Sequence, residues 1–224
     1  MNEINDALWF SFDIKKVRAL DSVTMKPLLE LFDKCLPVRP DYIMRSGRPL
    51  LKIEQYQSDM VSEALDKYRD VIEIFDENKN ISLTIMQEAG KKSAFGLWIK
   101  SSLVEKMTPI LVKEIFIDIT QAIPFTYASC HFDENSKHLY DIYSEMSRRT
   151  FFASGLYWLN FFGPEEEAKQ GGKALEINPY ATEIRRLTNG LFIQVGETPF
   201  DGYTDTGREQ LINATKAMPP ATGW

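Results

Sequence analysis

Cysteine and histidine are scarce in this 224-residue chain: Cys35 and Cys130, His131 and His138, and no others. Two cysteines cannot build a disulfide framework, and their placement suits small buried hydrophobes in a reducing compartment. No apolar run approaches the ~20 residues that a membrane-spanning helix requires. The first ten residues, MNEINDALWF, place acids before the first apolar patch, whereas a secretory leader needs a basic start and a longer apolar core. A cytoplasmic location without membrane contact is the expectation. The chain also lacks a G-x-S-x-G elbow, a phosphate-binding loop and a dinucleotide fingerprint. AGKKS (89–93) has neither the second glycine nor the spacing of such a loop, and Gly171-Gly172 opens no helix of adequate length. No cofactor is implied.

What the chain does have is an ordinary globular composition, 44% hydrophobic and 26% charged, with a net charge of −6. The charge is unevenly placed. Residues 113–224 hold 15 acids against 10 bases, whereas residues 1–112 are nearly balanced, with 17 against 16. Such a surface repels phosphate backbones, which argues against direct nucleic-acid binding and favours basic partners. Simple solubility is an equally common use of the same charge.

Strand patterns fall at 7–14 (ALWFSFDI), in two pieces of 42–54 around Ser46-Gly47, in a hairpin over 80–102, at 125–132 and at 155–163. Asn189-Gly190, flanked by apolar alternation, predicts a second hairpin with a type I′ turn. Helical spacing predicts helices over 24–36, 58–75 and 135–149. A further helix is expected from a Ser102/Glu105 capping box to about Ile123, with the inward stripe Leu103, Met107, Ile110, Leu111, Ile115 and Ile119. Pro164 suits the first position of a short helix ended by Gly171-Gly172, and a last helix spans 206–218. This order lacks βαβ alternation. It predicts an α+β fold, an antiparallel or mixed sheet covered by helices on one face. Residues 1–218 read as a single domain, loosely divisible into halves 1–79 and 80–218, with a tail at 219–224.

One segment has metal-like residue types: His131, Asp133, Glu134 and His138 within HFDENSKH. A zinc or iron site needs about three converging ligands. These four run through a strand, a turn and a helix start, with no recognised spacing, so Asp133 and Glu134 serve the turn and helix N-terminus more naturally. No metal is expected. Cys130 and His131, adjacent in a strand, point to opposite faces and form no catalytic pair.

The most conspicuous charge run is Glu165, Glu166 and Glu167 in FFGPEEEAKQGG (161–172). Acids in a first helical turn are favoured by the helix dipole, by ~0.3–1 kcal/mol each. Two readings stand for the run: a solvated helix end, or part of a surface for a basic partner. Catalysis has no second group to support it. A second acidic set, Glu197, Asp201 and Asp205, follows the last hairpin, together with Phe200 and Tyr203. Those two aromatics sit in a loop with no evident core role and are candidate anchors, since interface hot spots favour aromatics. A competing acidic patch is the outer face of the expected 58–75 helix, with Glu63, Asp66, Asp70 and Glu73.

Residues 150–218 carry a further pattern. The aromatic strand GLYWLNFF is followed by Gly163-Pro164, and NGLFIQVGETPFD runs from Gly190 through Gly196 to Pro199-Phe200-Asp201 before a closing helix. This ending resembles the immunity protein 52 family of bacterial polymorphic-toxin and type VI secretion systems. The resemblance implies a non-enzyme that binds and neutralises a co-encoded toxin in the cytoplasm, often a nuclease of restriction-endonuclease fold. An acidic protein suits the basic cleft of such a nuclease. Two other classes stay open: a metal-dependent hydrolase on the His131–His138 segment, and an adaptor module unrelated to toxins.

Overall fold

The computed structural model describes residues 7–14, 26, 30, 42–45, 51–52, 72–87, 93–132, 139 and 155–219. Among them run ten strands: β1 (Ala7–Ile14), β2 (Tyr42–Arg45), β3 (Leu51–Lys52), β4 (Ile72–Phe75), β5 (Ile81–Gln87), β6 (Ser93–Lys100), β7 (Tyr127–Phe132), β8 (Leu159–Phe162), β9 (Glu183–Leu187) and β10 (Gly190–Gln194). The helices are α1 (Ser101–Val104), α2 (Pro109–Ala122), α3 (Pro164–Lys169) and α4 (Asp205–Lys216), with 3-10 turns at Gly172–Ile177 and Asp201–Tyr203. All ten strands join one sheet in the order β3-β2-β4-β5-β6-β1-β7-β8-β10-β9. Each described pairing is antiparallel. The fold is α+β. Strands from either side of residue 80 alternate within this sheet, β5 beside β4 and β6 beside β1, so no break in it falls between 79 and 80.

Period-two alternation decides which side chains meet. In β1, Leu8, Phe10 and Phe12 are wholly buried, while Trp9, Ser11 and Asp13 are half-buried on the other face. Phe10 lies opposite Leu97 of β6 and Cys130 of β7, and Phe12 opposite Phe95 and Ala128. Over this row lies α2, whose Phe116 ring packs 6.2 Å from Phe10, 5.7 Å from Phe12 and 6.2 Å from Phe192 of β10. Alternation in β10 sends Leu191 and Ile193 the opposite way. There they join Phe162, Leu175, Leu211 and Ala214 in a second cluster under α4. At the C-terminal end the sheet is therefore sandwiched between helices on both faces, where the sequence pattern suggested one.

Three local expectations change. The helix expected from Ser102 breaks at Thr108, because a residue before proline is pushed out of the helical region. Thr108 sits at ψ 145° with its hydroxyl accepting the Leu111 N–H at 3.1 Å, and Pro109 takes the first helical position. The buried stripe becomes Val112, Ile115, Phe116 and Ile119, leaving Leu111 43% and Ile110 68% exposed. Second, Ile72–Phe75, the end of the expected 58–75 helix, is strand β4. Glu73 is thus not on a helix face; it accepts the Ser82 hydroxyl at 2.8 Å across the β4–β5 pair. Glu63, Asp66 and Asp70 lie outside the described residues, as do nearly all of the 24–36 and 135–149 segments. Third, the β9–β10 turn is Thr188-Asn189, with Gly190 already paired to Leu187. Gly190 is required by close approach instead: a Cβ there would stand 2.2 Å from the Phe162 carbonyl oxygen.

Candidate functional site

The two acidic sets occupy opposite ends of neighbouring strands. α3 follows β8 and the 197–205 segment follows β10, and β8 and β10 are antiparallel, with Phe162 opposite Leu191 and Leu159 opposite Gln194. The two sets therefore do not share one end of the sheet. Their carboxylates are also used locally. Pro164 opens α3 and the three glutamates fill its first turn. Glu165 and Glu166 approach Lys169 at 3.6 and 3.7 Å, and Glu166 accepts from Gln170 at 3.1 Å. Glu167 leaves α3 to take both guanidinium nitrogens of Arg186 on β9, at 2.6 and 2.8 Å, a forked arrangement of the stronger kind. Arg186 also bonds Glu176. These bonds, that to Glu167 foremost, hold its proton more firmly than an ordinary arginine's.

In the second set Asp201 shapes the chain. Its carboxylate accepts the Glu197 and Thr198 N–H groups at 2.6 and 3.1 Å and the Thr198 hydroxyl at 2.8 Å. Thr204 then caps α4 through the Gly207 N–H at 3.0 Å. Gly207 permits this seat, since a Cβ would lie 2.1 Å from the Asp201 carbonyl oxygen. Phe200 and Tyr203 do have a core role: their rings pack 5.0 and 5.4 Å from Phe132. They are therefore not free anchors. Asp205, 98% exposed at its side chain, bonds Arg208 one turn on, and Glu197 is exposed. Asp201→Ala is expected to cost about 1–2 kcal/mol, as a lost hydrogen-bonded charge does when water can reach the gap. Faster hydrogen exchange at Glu197 and Thr198 with a lowered melting temperature would confirm it; unchanged exchange would show the turn holds without Asp201.

A feature the sequence reading missed surrounds β9. Glu183 meets Lys113 of α2 at 2.8 Å and Arg185 at 2.7 Å, and Arg185 also approaches Glu114 at 3.8 Å. Partial burial pushes the Glu183 pKa up, but hydrogen bonds from Lys113 and Arg185 outweigh it and hold the group below its usual value. Its contribution to stability is complete above the ordinary carboxylate pKa of about 4.3 and is lost as pH falls through the lowered folded value. β9 is thereby tied to α2 over one face and, through Arg186, to α3 and the Gly172–Ile177 turn over the other. The legible signal was EIRRL, a strand with three charges among five residues, as an edge strand carries.

The His131 region offers less chemistry. The imidazole stacks on Tyr157 at 4.1 Å. Cys130, on the opposite face, is fully buried, and burial pushes its thiol pKa well up, which disfavours the reactive thiolate. Asp133, Glu134 and His138 lie outside the described residues. Among those described, no three His, Cys, Asp or Glu side chains are grouped to hold a metal ion. A cavity of about 10 Å³ lies between His131, Phe132, Trp158, Asp201 and Leu211, room for one water at most.

No family model matches the chain, and no curated protein does. The immunity protein 52 resemblance thus has no family match behind it. Among solved structures, the chain is similar to the Pseudomonas aeruginosa T6SS protein PA0821. The TM-score is 0.64 at 16% identity, over 96% of this chain and 78% of that one. At that identity the likeness is one of fold. It extends through nearly the whole chain.

Proposed function

We propose that this chain is an immunity protein of a type VI secretion or related polymorphic-toxin system, which binds a co-encoded nuclease toxin and blocks it without catalysis. The observation that carries this reading is the shared fold with a T6SS protein across 96% of the chain. The acidic balance of residues 113–224 supports it, because a nuclease presents a basic surface to its substrate. The resemblance of residues 150–218 to the immunity protein 52 pattern points the same way.

The contact surface in this reading draws on Glu165, Glu166 and Glu167 beside β9 and on Glu197 and Asp205 at the other end of β10. Asp201 shapes that second region from within, and Phe200 and Tyr203 brace it against Phe132. A partner using both regions spans the short strands between them. Exposed charges of this kind act mainly on the association rate.

The test is to express the product of the adjacent open reading frame in a bacterial host, alone and with this chain. Growth arrest alone, rescue by co-expression, and co-elution of the two proteins are expected. Arrest that the chain does not relieve, or hydrolysis of DNA or RNA by the purified chain that is lost on His131→Ala, would overturn the proposal.

A further inference from the structure

β9 closes the sheet order, so among the described residues its outer main chain pairs with no other strand. Such an edge presents alternating N–H and C=O groups that a further extended chain can take up. Charged side chains commonly guard an edge against this. Those of β9 are drawn away onto the two faces of the sheet: Glu183 and Arg185 to Lys113 and Glu114 of α2, and Arg186 to Glu167 and Glu176 on the other side. The ion pairs anchor the strand to its flanks, and no strand among the described residues takes up its outer backbone.

A second observation concerns exposed apolar side chains. Five large ones are exposed among the described residues, and four belong to elements around β9: Ile110, Leu111, Ile177 and Tyr180. Ile110 and Leu111 stand three residues before Lys113 and Glu114, and residues three apart share a helix face. They therefore lie on the side of α2 that reaches Glu183 and Arg185. On the other side of the sheet Ile177, 78% exposed, follows Glu176, the partner of Arg186, and Tyr180 leads into β9. Apolar shoulders thus stand to both sides of the edge strand. Scattered exposed hydrophobics need no explanation; four gathered along one open edge mark an interaction site.

We propose that β9 is a docking edge at which an extended, basic segment of the toxin adds as a further strand. This rests on the reading of the chain as an immunity protein and names the surface and the kind of segment it takes. Main-chain hydrogen bonds would hold the added strand, and its apolar side chains would meet Ile110 and Leu111 on one face and Ile177 and Tyr180 on the other. The charge preference follows from the surroundings. α2, α3, the Gly172–Ile177 turn and β9 together hold seven carboxylates against five cations. That surplus attracts a basic strand, whereas a second copy of the chain would bring the same surplus against itself.

The probe is the product of the adjacent open reading frame, made as a catalytically inactive variant and mixed with the full-length chain. Hydrogen exchange of Glu183–Leu187 is expected to slow at least ~10-fold in the complex. The double variant Ile110→Lys/Ile177→Lys, which changes only exposed positions, should fold with an unaltered melting temperature. It should bind ~10-fold or more weakly, the scale of losing an interface anchor of about 1.4 kcal/mol or more. A complex in which protection falls elsewhere, with the double variant binding at parental affinity, would overturn the edge and leave the immunity reading intact. Absence of any complex, with no rescue of growth, would remove that reading and this proposal together. Slowed exchange of β9 in the chain alone, rising with concentration alongside a dimer mass, would assign the edge to a second copy and overturn the proposal.

Discussion

Phe116→Ala is expected to cost about 3–5 kcal/mol of folding stability, the range for truncating a buried aromatic, whereas Leu111→Ala stays within about 1 kcal/mol. Both residues lie on α2, five positions apart, and helical spacing alone favours Leu111 as the core residue. The structure reverses the order. Phe116 is wholly buried and its ring meets Phe10, Phe12 and Phe192, so it touches β1 near the middle of the sheet and β10 near its end. Removing it opens a cavity between three aromatic rings that belong to two different strands, which cannot all close in together. Leu111 is turned outward and loses little on truncation. Urea unfolding of the two variants decides the matter; equal midpoints would mean that α2 is rotated from the orientation described.

The second large effect is expected at Asn160, which is wholly buried in β8. Its side-chain oxygen accepts the Tyr157 N–H at 2.9 Å, and its amide donates to the Tyr157 carbonyl at 2.7 Å and to the Ile193 carbonyl at 3.3 Å. One side chain thus satisfies the backbone where the chain enters β8 and bonds the neighbouring strand β10. Asn160→Ala strands a buried donor and its carbonyl partners together. At about 1–3 kcal/mol for each buried group left unmade, a loss of about 3–5 kcal/mol is expected. Asn160→Asp should fare poorly as well, since a carboxylate in that place has no N–H to offer the two carbonyls and would be buried without a cation. Thermal unfolding of both variants tests this. A midpoint within a degree or two of the parent in both would show that the backbone at Tyr157 finds other partners.

These two residues show what the sequence could and could not disclose. The hairpins were legible because alternation and turn residues act over a few positions: β5 and β6 flank the expected turn, and β9 and β10 pair within one residue of where Asn189-Gly190 put them. The short α3 was legible from Pro164 and the glycine pair that follows it. The start of α2 was misread because Ser102 and Glu105 imitate a capping box, while Thr108-Pro109 carried the true signal. Ile72–Phe75 was absorbed into a helical pattern although IEIF alternates as a strand does.

The candidate site was legible only as composition. Three glutamates in a row are visible in any reading, but that Glu167 reaches Arg186 depends on β9 folding back beside α3. Lys113 and Glu183 stand seventy residues apart in the chain yet 2.8 Å apart in space. Phe200 and Tyr203 looked unoccupied because the ring they cover, Phe132, belongs to a distant strand. Pairings of this sort are set by topology, and no local pattern encodes them.

The place of β1 in the sheet has a consequence for how the molecule is assembled. This first strand pairs Ala7 with Lys100 on one side and Leu8 with Phe132 on the other, so both of its neighbours are made long after it. A growing chain on the ribosome would hold Leu8, Phe10 and Phe12 without either mate until β6 had emerged, and without the second until β7 had followed, past the midpoint of the 224 residues. Loop closures that long slow the search for the native arrangement, and an apolar strand waiting in the meantime is the kind of segment that chaperones shield from aggregation.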